Sequence, residues 1–207
     1  MKAWEQFKTI TTHKLLVMKY CFRIGLYRQG LCHDLSKYSW TEFRVGIRYY
    51  QGNRSPNNAE REDTGLSTSW LHHKGRNKHH FEYWVDYGLR SDRVLEGVPM
   101  PRRYIAEMIM DRISASRVYS PDTYTDRSPL EYYQKGKDRL WFIHPDTREQ
   151  MEYLLRMIAV KGEDAALRYI RKVYLKNKGR FACPGDTYRS RATKEKLKDS
   201  RGEKRTS

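Results

Sequence analysis

Cysteine and long apolar runs are both scarce in this chain. Three cysteines, Cys21, Cys32 and Cys183, stand far apart in 207 residues, and no two form a C-x-x-C pair. An odd, scattered set excludes a disulfide framework, and the missing pair excludes a thiolate zinc site. Any metal must then be held by nitrogen and oxygen. No apolar run approaches the ~20 residues that span a bilayer. The first segment, MKAWEQFKTITTHKLL, lacks the apolar stretch and small-residue cleavage site of a signal peptide. A soluble cytoplasmic protein with no membrane partner is expected. No segment alternates convincingly enough for a strand, no internal repeat is present, and no zinc-finger or RRM-like motif occurs.

Charge, by contrast, is abundant and one-sided. The formal net charge is +16, and residues 160–207 hold 15 Lys and Arg against 6 Asp and Glu. The last twenty, YRSRATKEKLKDSRGEKRTS, offer a single leucine for burial, so they cannot offset the entropy of ordering. Residues 184–207 are expected to form a basic flexible tail whose contact with nucleic acid is nonspecific. The remaining residues, 1–183, are expected to form one domain, because 38% apolar and 13% aromatic residues suffice for one sizeable core.

Periodicity makes that domain all-α. Phe7, Ile10, His13, Val17, Tyr20 and Ile24 recur every three or four residues, as on one face of a long helix. KYSWTEFRVGIRYY resumes helical spacing through Trp40, Phe43 and Ile47. The stretch QGNRSPNNAEREDTG reads as a surface loop, and DYGLRSDRVLEGVPMP as a connection. Pro101 suits the start of a helix that carries Tyr104, Met108 and Asp111 on one side. After a further loop, HPDTREQMEYLLRMIAV, with Asp146 or Thr147 as cap, and EDAALRYIRKVYLKN give two more helices.

Polar letters interrupt these apolar stripes. His13 and Asp111 lie on inward faces, where an unpaired carboxylate costs several kcal/mol; alone, each would be a satisfied core residue. Between them stands HDLSK, with His33 and Asp34 adjacent at an expected helix start and Lys37 one turn on. An adjacent His and Asp can ligate one metal, the carboxylate can bridge to a second, and a lysine at that spacing points at an anion. WLHHKGRNKHHFEYW then holds four of seven histidines, with Trp70, His73, Asn77, His80 and Trp84 sharing one face if the stretch is helical. On an unbroken helix His73 and His80 would lie ~10 Å apart, too far to share an ion. Either Gly75 and Asn77 interrupt the helix or the two histidines serve different ions; the interruption is the expectation, leaving both His79 and His80 available.

The ordered series His13, His33-Asp34, His73, His79-His80 and Asp111 resembles the H…HD…H…HH…D series of HD-domain metal-dependent phosphohydrolases. HDLSKYSWTEF, WLHHKGRNKHHFEYW and MPRRYIAEMIMDRISASRVY together are similar to an uncharacterised family of small HD-like proteins. Ser36 stands where the dinuclear HD enzymes usually have glycine, and no GYP segment follows the paired histidines. The resemblance implies an HD-like helical bundle and one or two divalent transition-metal ions, iron, manganese or zinc. One ion would be held by His13, His33, Asp34 and Asp111, the other by Asp34, His73, His79 and His80, with Glu42 and Asn77 in support. It also implies hydrolysis of a phosphorylated small molecule or nucleotide, with Asp34 and Lys37 as the catalytic residues. Two other readings stand beside it. One is a diiron oxygenase-like HD protein. The other is a non-enzymatic domain with a structural metal that binds nucleic acid or an acidic partner.

Overall fold

The three- and four-residue recurrence of apolar letters in the first 24 residues produces α1 (Lys2–Ile24), whose buried face is Gln6, Ile10, His13, Val17, Tyr20, Cys21 and Ile24. Gly25 ends it with a φ of 87° and donates its N–H to the last turn, the left-handed conformation that glycine adopts without strain. The computed structural model describes residues 1–88, 94–177, 179 and 181. Residues 1–177 form one compact unit. The expected boundary at residue 183 and the basic tail beyond it lie outside the described residues.

The architecture is all-α apart from one small ribbon. After α1 come α2 (Tyr27–Cys32), a 3-10 turn at Leu35–Tyr38, α3 (Trp40–Arg48), α4 (Pro56–Thr64) and α5 (Thr68–Lys74). Strands β1 (Val85–Tyr87) and β2 (Leu95–Gly97) pair antiparallel, Asp86 opposite Glu96. Helices α6 (Arg102–Tyr119), α7 (Ser128–Gly136), α8 (Pro145–Lys161) and α9 (Glu163–Tyr169) complete the unit, the last running into a π-helical turn at Ile170–Tyr174. Helix α6 packs on α1, α7 and α8. It is the central element, with Ile105, Ala106, Met108, Ile109, Met110 and Ile113 all buried. Met151, Leu154, Leu155 and Ile158 of α8 close the core against it.

Four local expectations are corrected. Residues 51–65 are not all loop: α4 starts at Pro56 after Ser55 and ends at Gly65. It buries only Ala59 and Glu60, too few residues to print an apolar stripe. Helix α7 was hidden in the same way, burying only Pro129 and Tyr133. The connection before α6 contains the ribbon, whose three-residue strands are too short for alternation to register. The cap of α8 is His144, whose Nδ1 accepts the Asp146 N–H at 3.1 Å. Thr147 instead is buried and accepts the Met100 N–H at 2.9 Å.

Glycine packing gives a stability test. A Cβ at Gly97 would lie 2.6 Å from the His144 backbone nitrogen and against the Phe142 carbonyl, so backbone would have to move. A Cβ at Gly46, inside α3, would meet only the end of the Gln6 side chain. Gly97→Ala should lower the stability read from urea unfolding by about 1–3 kcal/mol. Gly46→Ala should be near neutral, because the helix regains about 1 kcal/mol of propensity. Equal urea midpoints for the two variants would contradict this packing.

Candidate metal centre

Four segments converge on Asp34. Helix α1 supplies His13, the corner after α2 supplies His33 and Asp34, α5 and the turn after it supply His73, His79 and His80, and α6 supplies Asp111. The corner differs from the expected helix start. His33 ends α2, Asp34 has a φ of 53°, and Lys37 rides the single 3-10 turn that follows. Asp34 is the one non-glycine residue with positive φ among those described. Aspartate tolerates that region better than most residues, and such strain collects at functional positions. Here it turns the carboxylate back between α1 and α6.

The tryptophan- and histidine-rich stretch also breaks where geometry requires it. Helix α5 is started by Ser67, whose hydroxyl accepts the Trp70 N–H at 3.1 Å, while Glu60 of α4 accepts from Ser67 and Thr68 at 2.6 Å each. It stops at Lys74. Asn77 then donates to the His73 carbonyl and to the Ser36 hydroxyl, both at 2.8 Å. This cap folds the chain back, so that His80 Nε2 lies 2.9 Å from His73 Nε2. Trp70 stacks on His73 and meets His80 edge-on, and the Trp84 indole N–H donates to the Lys78 carbonyl at 2.7 Å.

Two four-residue ligand clusters result, both containing Asp34, and His33, His79 and Glu107 form a smaller third group. In one four-residue cluster, atoms of His13, His33, Asp34 and Asp111 all lie within 4.8 Å of one another; in the other, those of Asp34, His73, His79 and His80 do. His33 Nε2 is 3.3 Å from Asp34 Oδ2, and His13 Nε2 is 3.0 Å from Asp111 Oδ1. His73 Nε2 and His79 Nε2 are each 3.3 Å from Asp34 Oδ1. Donor atoms about 3.0–3.4 Å apart are what one ion with bonds near 2.1 Å requires. The buried side-chain atoms without a hydrogen-bond partner among the described residues number nine, and four of them face the centre: Nε2 of His13, His33 and His79, and Asp34 Oδ1. Unpartnered buried polar atoms are costly, and their convergence fits a divalent cation held by nitrogen and oxygen. These buried His and Asp groups could hold a metal ion.

The electrostatics agree with that demand. Burial opposes the His33 cation, but Asp34, Glu107 and Asp111 outweigh it and push the pKa up to about 10. Burial likewise opposes the His73 cation, and Asp34 and Glu42 push it up to about 9. Burial and the Lys37 charge keep His13 below the usual histidine range, and burial with the neighbouring His79 and His73 lowers His80 further. Asp34 and Asp111 resist desolvation and stay well below the carboxylate range, held by the adjoining imidazoles and, for Asp34, by Lys37. The carboxylate charges are thus met by imidazole protons, which a bound metal would displace. Lys37 adds a further positive charge: Nζ sits 2.6 Å from Asp34 Oδ2, with 29% of the side chain exposed.

Carboxylates behind the imidazoles set their orientation. Glu42 accepts from His73 Nδ1 at 2.8 Å and from His72 Nδ1 at 2.7 Å, which leaves His72 outside both clusters. Glu107 of α6 accepts from His33 Nδ1 at 3.0 Å and lies 3.3 Å from His79 Nδ1. Glu107 escaped the sequence reading. Its one signal was a glutamate four residues before Asp111, on the same side of α6.

The fold and site define a helical protein with two candidate metal positions joined by one shared aspartate. The chain belongs to the Family of unknown function (DUF5662), whose profile matches residues 2–157, a span that holds every residue of the centre. No curated protein and no solved structure matches it.

Asp34 gives the direct test. After reconstitution and desalting, elemental analysis should find metal in the wild type and little or none in Asp34→Asn, which keeps the backbone preference and side-chain shape but loses the charge. Full metal retention by Asp34→Asn would remove Asp34 from the centre.

Proposed function

We propose that the protein is an HD-type metal-dependent phosphohydrolase acting on the phosphoester of a small molecule such as a nucleotide. The observation that carries this reading is the sharing of Asp34 by two ligand clusters. A structural zinc needs four closed ligands, whereas seven His and Asp residues gather here. Two divalent cations bound in such a site supply Lewis acidity and lower the pKa of a bound water.

The chain's own groups do the rest. The two Asp34 oxygens face different clusters, Oδ2 toward His33 and Oδ1 toward His73 and His79, so one carboxylate can serve both positions. Glu42 and Glu107 accept the Nδ1 protons and leave Nε2 free for ligation. Lys37 Nζ pairs with Asp34 while part of its side chain remains exposed, so it can meet a phosphate that approaches the centre. Burial works against its ammonium, but Asp34 and Asp111 raise its pKa above the usual lysine range, so it remains a cation to hold a phosphoryl oxygen.

Full-length protein purified without oxygen and loaded with manganese, iron, nickel or zinc should hydrolyse at least one member of a nucleotide and phosphoester panel. Lys37→Ala should keep its metal and lose turnover by about 10²-fold. Metal loss in Lys37→Ala would make the lysine structural. A loaded protein inert toward every ester but consuming oxygen would replace the hydrolase with an oxygenase.

A further inference from the structure

Glu107 lies outside both four-residue clusters, yet it touches one histidine of each. We propose that Glu107 is a positioning residue that fixes the tautomers of His33 and His79 together, so that a single carboxylate behind the centre governs both metal positions. The inference rests on the metal-binding part of the reading above and not on the reaction.

The geometry is specific. One oxygen, Oε1, accepts from His33 Nδ1 at 3.0 Å and lies 3.3 Å from His79 Nδ1. The other, Oε2, accepts from Gln29 Nε2 at 2.7 Å, and the same amide donates to the Arg103 carbonyl at 3.0 Å. Both oxygens are thus engaged and the carboxylate cannot turn. Glu107 is buried, as are both rings, which stand 4.4 Å apart between centroids. A neutral imidazole carries one proton, so a proton held on Nδ1 leaves Nε2 as a bare acceptor. Those Nε2 atoms each lie 3.3 Å from an Asp34 oxygen, His33 at Oδ2 and His79 at Oδ1, and neither has a hydrogen-bond partner.

A competing arrangement uses the same three residues. His33, His79 and Glu107 also offer atoms within 4.8 Å of one another, so an ion could sit among the two Nδ1 atoms and the carboxylate. That arrangement needs both Nδ1 atoms bare and moves the protons to Nε2, which would disable both histidines toward Asp34. The two arrangements exclude each other. The first leaves seven ligands in two clusters, and the second dismantles both, so the geometry favours the first.

The test uses full-length protein and two readouts that do not involve turnover. Long-range proton–nitrogen correlation spectra of the zinc-loaded chain, with His33 and His79 assigned by single substitution, should place the proton on Nδ1 in both. Manganese titrations followed by electron paramagnetic resonance should resolve two binding steps in the wild type. His13→Ala should weaken one step and His80→Ala the other. Glu107→Gln, which touches neither ion, should weaken both by about 10–100-fold, while Glu163→Gln, a buried carboxylate on α9, should change neither. Should Glu107→Gln fail to fold, Gln29→Ala releases Oε2 and should produce a smaller loss in the same two steps. Protons on Nε2, or a Glu107→Gln loss confined to one step or absent, would overturn the inference and leave the metal centre standing. A wild-type chain that takes up no manganese, iron or zinc would overturn both.

Discussion

One buried carboxylate organises this molecule. Asp34 is 2% exposed, and its oxygens lie within 4 Å of His13, His33, His73, His79 and Lys37. Taking such an ion from water costs several kcal/mol. Attraction to Lys37 and to protonated imidazoles offsets that cost, while leaving several ring nitrogens without partners. Each segment that reaches Asp34 does so because something else holds it there. α1 and α6 are anchored by the core, α5 by Glu60 at its start and Asn77 at its end, and the corner by the left-handed backbone at Asp34 itself.

Rigidity is distributed to match. His13 and Asp111 sit on the two helices with the largest buried faces, so their positions follow from packing of apolar side chains. His73, His79 and His80 sit where regular structure stops, and their positions follow from hydrogen bonds and ring contacts. A site built on packed helices keeps its geometry better than one built on loops. The second half of this centre is therefore the more sensitive to small changes around it, and the Trp70 ring and the Glu42 carboxylate are what restrain it.

Much of this was legible in the letters. Apolar recurrence located α1, α3, α6, α8 and α9, and a histidine and an aspartate inside two of those stripes marked inward-facing polar groups that needed partners. The helical rise per residue kept His73 and His80 from sharing an ion on an unbroken helix, and the helix does end at Lys74, with Gly75 as its cap. Helices α4 and α7 were not legible, because elements that bury two residues leave no period. Nor was Glu107. A glutamate in a helix looks the same whether it faces water or an imidazole, and nothing local connects it to His33, 74 positions earlier. The left-handed backbone at Asp34 was equally hidden, since aspartate occupies ordinary conformations far more often.

That backbone restricts the alphabet available at position 34. Chemistry alone would admit glutamate as readily as aspartate, since both present a carboxylate to a cation. At a φ of 53° the admission rule is steric: a short side chain that can bond to its own backbone is tolerated, and a longer one is strained and overreaches by a methylene. The main chain thus selects between two side chains that the ions themselves would barely distinguish.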